Sequence, residues 1–137
     1  MAERVKDREP LSKVVWEKLA VLRDIVADKK ARDLKIYDVR NLTLLTDVFV
    51  LCSVTSEPQM RAVTSAAREE MKEAGYSLLR LEGTHRSGWV VADFGDVIFH
   101  IFREAAREFY DLDRLWADAP EIGENQIPEL RKASTDR

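Results

Sequence analysis

Gly88-Trp-Val-Val-Ala-Asp-Phe-Gly-Asp-Val-Ile-Phe-His-Ile-Phe102 sets two runs of strand-forming residues around Gly95-Asp96. Glycine at the first central position suits a two-residue hairpin turn, and that turn pairs Phe94 with Val97 and Trp89 with Phe102. Side chains alternate across a strand, so the register gives the hairpin two distinct faces. Val90, Ala92, Phe94, Val97, Phe99 and Ile101 make one wholly apolar face, which must meet helices. Trp89, Val91, Asp93, Ile98, His100 and Phe102 make the other, a mixture of aromatics with one acid and one histidine. A carboxylate and an imidazole are costly to bury unless both are hydrogen-bonded, so this face is expected to be partly open or covered by a polar partner. Exposed rings beside acids suit protein binding, the rings supplying contact area and the acids direction. The plainer alternative is that Asp93 bonds backbone near the turn and His100 is a satisfied core histidine.

Working outward, the period changes to helical from Ser12, where Val15, Leu19, Leu22 and Val26 recur at three- and four-residue steps and the serine can cap the start. This helix should end near Lys30. Leu34–Val39 alternates as a strand, with Ile36 on one side and Tyr37 and Val39 on the other. Asp47–Val54 is apolar on both faces and reads as a central strand. Ser56-Glu-Pro-Gln59 has the form of a capping box with proline in the first turn. It opens a helix whose apolar face is Met60, Val63, Ala67, Met71 and Ala74, with Gly75 placed to end it. Leu78–Glu82 reads as a further strand and Gly83–Gly88 as a polar loop. After the hairpin, Arg103–Tyr110 is helical, with Ala106, Phe109 and Tyr110 as its expected contacts, and Asp111–Trp116 continues or restarts it. The pattern predicts an α/β (α+β) fold, a mixed β-sheet of about five strands with packed helices. Residues 1–10 read as a loose segment, 11–119 as one domain and 120–137 as a polar, solvated tail.

At 137 residues the chain suits a single core rather than two. A hydrophobic fraction of 45% against 34% charged residues belongs to globular proteins rather than disordered ones. The net charge of −3 provides no global basic field, so strong direct nucleic-acid binding is not expected and a basic partner is easier to accommodate. A lone cysteine, Cys52, cannot form an internal disulfide, and its strand position marks it as a small buried hydrophobe. Without a secretory signal or a long apolar run, the expected setting is cytoplasmic.

Catalytic readings find little support. Asp93-Phe-Gly matches the magnesium-binding tripeptide of protein kinases, but a glycine-rich phosphate loop and a His-Arg-Asp segment are missing. Asp93, Asp96, His100 and His85 do not follow any compact metal-ligand spacing, so no metal or other cofactor is expected. Nucleotidyl transfer would want paired strand carboxylates and a Gly-Ser turn. The only Asp-x-Asp is Asp111-Leu-Asp113, in a helical context, and no Gly-Ser dipeptide occurs. Nor does any serine or cysteine occupy a nucleophile elbow, so no catalytic residue is assigned.

Asp47-Val-Phe-Val, Glu82-Gly83, Trp89 to Asp96, His100-Ile-Phe102 and Arg107-Glu-Phe-Tyr-Asp-Leu-Asp-Arg-Leu-Trp116, in this order and spacing, resemble the ribosomal silencing factor family, also called Iojap-like. The likeness extends from about Val14 to about Ala119; Ala92, Phe94 and Asp113 are conservative departures. It implies a non-enzymatic role. Such proteins bind the large ribosomal subunit through its ribosomal protein number fourteen and block subunit joining, repressing translation under nutrient limitation. It further implies a fold related to nucleotidyltransferases without their motif, and a homodimer when free. From Glu82 to Asp113, seven acids (Glu82, Asp93, Asp96, Glu104, Glu108, Asp111, Asp113) stand against three arginines (Arg86, Arg103, Arg107), which would steer a basic ribosomal protein. Both lines assign partner binding to Glu82, Trp89, Asp93, Asp96 and His100. Tyr110, Leu115 and Trp116 are assigned to packing or dimer contact. The alternatives are a nucleotide-processing enzyme with a degenerate transferase site and a dimeric scaffold with no ribosome link.

Overall fold

Ser12 accepts a hydrogen bond from the Val15 amide at 3.1 Å and so starts helix α1, Lys13–Asp28. In the computed structural model, which describes residues 9–130, the chain then passes through β1 (Arg32–Asp38) and β2 (Val48–Val54). Helix α2 (Glu57–Glu73) is capped at Ser56 as expected, and Gly75 follows it at φ 96°. Strands β3 (Arg80–Thr84), β4 (Trp89–Asp93) and β5 (Val97–Arg103) form a meander, followed by the short helices α3 (Glu104–Tyr110) and α4 (Leu112–Leu115).

The five strands are ordered β1-β2-β5-β4-β3, antiparallel except for the central pair β2 and β5. Parallel pairs need cover on both faces, and β2, buried along its whole length, has it. The hairpin register is the one read from the turn: Trp89 lies opposite Phe102, and Phe94 N–H donates to the Val97 carbonyl at 2.9 Å. The apolar face, Val90 to Ile101, packs with Ile36, Val48, Val50 and Cys52 under α1 and α2 in the main core. Cys52 is fully buried there, and burial pushes its thiol up to about 12, so it is inert at neutral pH.

Three expectations need correction. The third strand runs two residues later than Leu78–Glu82, because Gly83, at φ 89°, stays within the strand and the tight turn is tied by Ser87 to Thr84. A Cβ at Gly83 would stand 2.1 Å from the Trp89 carbonyl oxygen, so only glycine allows this approach. Phe109, expected to pack, is 80% exposed. The solvated tail does not begin at Pro120. Asp38 N–H donates to the Pro120 carbonyl and Ile122 N–H to the Ile36 carbonyl, which pairs this segment with the β1 edge. Ile122 and Ile127 enter the main core. An edge strand with unpaired backbone groups and two apolar side chains within reach makes that closure favourable. Residues 131–137 lie outside the described residues, as does the expected loose segment except Glu9 and Pro10.

Candidate binding site on the second sheet face

The register lines up Glu82, Val91, His100 and Leu51 in one row across β3, β4, β5 and β2. Thr84, Trp89, Phe102 and Ser53 form the next row, and Arg80, Asp93, Ile98 and Phe49 another. This second face is divided. Over β1, β2 and β5 it is closed by a smaller core of Tyr37, Val39, Phe49, Leu51, Ile98, Phe102 and Ala119, with Ala106, Leu112 and Trp116 packed on it. Over β4 and β3 it stays open: every residue of β3 is exposed, and Trp89, Val91 and Asp93 are half-buried.

A polar clamp holds α3 and α4 on the closed half. Arg107 donates to both carboxylate oxygens of Asp113 at 2.9 and 3.0 Å, to Ser53 Oγ at 3.0 Å and to the Asp33 carbonyl at 2.6 Å. Asp33 lies in a bulge of β1 at φ 54°, which frees that carbonyl. Tyr37 Oη donates to Asp113 at 2.8 Å. The bonds from Arg107, then that from Tyr37, hold the Asp113 carboxyl below its ordinary range against the opposing effect of burial. Burial pulls Arg107 down, and its bonds to Asp113 outweigh that pull. Burial and then the Asp113 bond push the Tyr37 hydroxyl far up, so it remains a donor.

His100 is not on an open surface. It is 6% exposed, set edge-on to Phe49 at 4.9 Å, and its Nδ1 accepts from Trp89 Nε1–H at 3.2 Å. Nε2 has no partner among the described residues. The expectation that His100 meets a partner directly is therefore corrected: the rings of Phe49, Phe102 and Trp89 close over it. Burial lowers its pKa from 6.5 to about 4. Above pH 6.5 both folded and unfolded chains hold it neutral. As pH falls from there towards 4, only the unfolded chain takes up the proton, so stability is lost across that window, by up to about 3 kcal/mol. Urea denaturation at pH 7 and pH 4.5 should show the native chain losing more than His100→Gln does; equal losses would contradict this origin.

The acids also have structural work. Asp93 accepts from the Gly95 amide at 2.8 Å and so forms the turn, with Arg80 3.8 Å away. Asp96 pairs at 2.7 Å with Lys18 from α1, whose Nζ also donates to the Phe94 carbonyl at 2.9 Å. Glu82 meets Arg80 at 3.3 Å with both side chains mostly exposed. Glu104 pairs with Arg32, which leaves Glu108 and Asp111 as acids of this region without an internal ion pair among the described residues. The acidic rim is thus narrower than the sequence count: Glu108 and Asp111 are unpaired among the described residues, and Glu82 has only an exposed partner.

Sequence spacing does not single out the feature that remains exposed. Phe109 stacks edge-on against Tyr110 at 5.0 Å, Tyr110 lies 4.6 Å from Trp89, and Trp89 stacks on Phe102 at 5.1 Å. This aromatic series runs from solvent to core. Leu115 on α4 is 68% exposed, whereas Trp116 turns inward against Phe49 at 5.0 Å. Among the described residues no group of three or more His, Cys, Asp and Glu side chains could hold a metal ion, and no helix is long and apolar enough to cross a membrane.

A family model described as ribosomal silencing factor during starvation matches residues 13–137. The chain belongs to the ribosomal silencing factor family. That family is regulatory and acts at the ribosome rather than as an enzyme. A ribosomal silencing factor of Halalkalibacterium halodurans is 35% identical over 106 residues, covering 77% of this chain and 91% of that one. The Bacillus subtilis silencing factor is 34% identical, covering 72% and 87%. The chloroplastic Iojap protein of Arabidopsis thaliana is 32% identical over 74% of this chain but 42% of its own length. A crystal structure from Chromobacterium violaceum matches with a TM-score of 0.70 at 31% identity, covering 74% of this chain and 84% of that one.

Proposed function

We propose that this chain binds the large ribosomal subunit through its ribosomal protein number fourteen, in the cytoplasm, and keeps the small subunit from joining. The observation that supports the reading is the exposed aromatic series at the end of α3, where Tyr110 meets Trp89 of the open half. Phe109 and Tyr110, with Leu115 on α4, expose apolar area on the segment that carries Glu108 and Asp111, while Glu82 stands on exposed β3. Exposed aromatics rimmed by acid fit a basic protein surface. Trp89 backs this patch, while Asp93 and Asp96 act through the turn they hold, and His100 through the position of Trp89. A homodimer of the free protein, formed over Tyr110 and Leu115, belongs to the same proposal, so dimer and ribosome would compete for one patch.

No chemistry is needed. A domain of this length has a radius of gyration of roughly 14 Å and is therefore about 30 Å across, too wide to sit between joined subunits. Added to purified large and small subunits before they join, the protein should shrink the joined-ribosome peak on a sucrose gradient and co-sediment with the large subunit. An unchanged joined peak, at concentrations that saturate free large subunits, would sink the silencing mechanism.

A further inference from the structure

β2 and β5 run parallel and end side by side, at Val54 and Arg103. From β2 the chain leaves into α2 on the main-core face; from β5 it leaves into α3 on the opposite face. Connections that depart to opposite sides of adjacent parallel strands open a crevice beyond the strands' carboxyl ends, where open α/β sheets bind ligands. Here that crevice measures about 400 Å³. Val54 and Thr55 line it from β2, Arg103, Glu104 and Ala106 from β5 and α3, and Arg86 and Gly88 from the β3–β4 turn.

Its charge is unbalanced. Neither Arg86 nor Arg103 has a carboxylate partner among the described residues, whereas the one acid on the wall, Glu104, is paired with Arg32 at 3.3 Å. The other polar groups are occupied: Thr55 N–H and Oγ1 donate to Gln59 Oε1, and Ser87 Oγ donates into its own turn. The walls otherwise offer small apolar groups, and a side chain at Gly88 would fill space now held open 3.2 Å from Ala106 Cβ. Guanidinium groups are planar forks matched to phosphate oxygens, and a pair of them suits a dianion better than a single carboxylate.

We propose that this crevice binds the phosphate group of a small phosphorylated molecule, with Arg86 and Arg103 as its ligands. The site is separate from the aromatic patch, and its test does not depend on ribosome binding.

Isothermal titration of the whole protein with orthophosphate, diphosphate and a nucleoside diphosphate should give saturable binding. The ranking of the three shows how much beyond phosphate the crevice reads. Arg86→Gln and Arg103→Met should each weaken binding about tenfold or more, with unchanged melting temperatures, since neither guanidinium holds the fold together. The methionine preserves the packing of the half-buried Arg103 stem, and exposed Arg86 provides a variant with no folding risk. Lack of saturation by all three probes would overturn the proposal, as would equal affinity in both variants. Binding of a short RNA oligonucleotide while all three probes fail would assign the arginines to a nucleic-acid backbone instead, and would overturn it equally.

Discussion

Arg107→Met is expected to destabilise the fold by about 3 kcal/mol, with the unfolding midpoint in urea falling accordingly. Only 10% of the Arg107 side chain is exposed, and its guanidinium serves Asp113, Ser53 and the Asp33 carbonyl together. Removal leaves the Asp113 carboxylate of α4 with Tyr37 Oη but no cation, and a backbone oxygen in the β1 bulge without this donor. The loss is set at the lower end of what breaking a buried ion pair costs, because the Asp113 side chain is 32% exposed and water can recover part of it. Adding Asp113→Leu to Arg107→Met should return a good part of the stability, since the unpaired charge is then gone. A double-mutant cycle measures that recovery. A single-variant loss below about 0.5 kcal/mol, the range of ordinary surface substitutions, would show that α3 and α4 are held by their apolar contacts alone.

The other large effect concerns binding. Phe109→Ala combined with Leu115→Ala should weaken association with isolated large subunits by about a hundredfold, since truncating anchor residues at an interface commonly costs 2 kcal/mol or more. Because Phe109 and Leu115 are 80% and 68% exposed, the same changes should leave the stability of the free chain within about 0.5 kcal/mol of the original. The joined-ribosome peak should recover in parallel. Leu44→Ala with Leu45→Ala gives the matched control. These leucines are 93% and 73% exposed in the β1–β2 loop, at the opposite end of the sheet from the crevice. If the loop variant loses binding and the Phe109 and Leu115 variant keeps it, the docking surface lies at the hairpin-turn end instead. Glu82→Lys with Glu108→Lys tests the charge component separately, because neither acid holds a turn or a buried cation. Its effect should show mainly in the association rate and should fade as salt rises.

The hairpin could be read from the chain because its determinants are local. Gly95 sets the turn, the turn sets the register, and strict alternation then assigns every side chain from Trp89 to Phe102 to a face. The burial of β2 on both sides, the cap at Ser56 and the inert Cys52 follow from equally short-range patterns. Local pattern does not say what covers a face. Arg107 meets Ser53 and the Asp33 carbonyl across more than fifty residues of chain, and those contacts, with the Tyr37–Asp113 bond and the packing of Leu112 and Trp116, bring α3 and α4 down over Phe49, His100 and Phe102. The same holds for Asp96, whose cation lies 78 residues away on α1, for Ile122, which pairs with the free edge of β1, and for Ile127, whose carbonyl accepts from Arg23 on α1. The sequence by itself determined a sheet with one apolar and one mixed face. Tertiary structure decided that the mixed face is half closed, with His100 inside it and Phe109 outside, because ion pairs and edge pairing join residues that no periodicity connects.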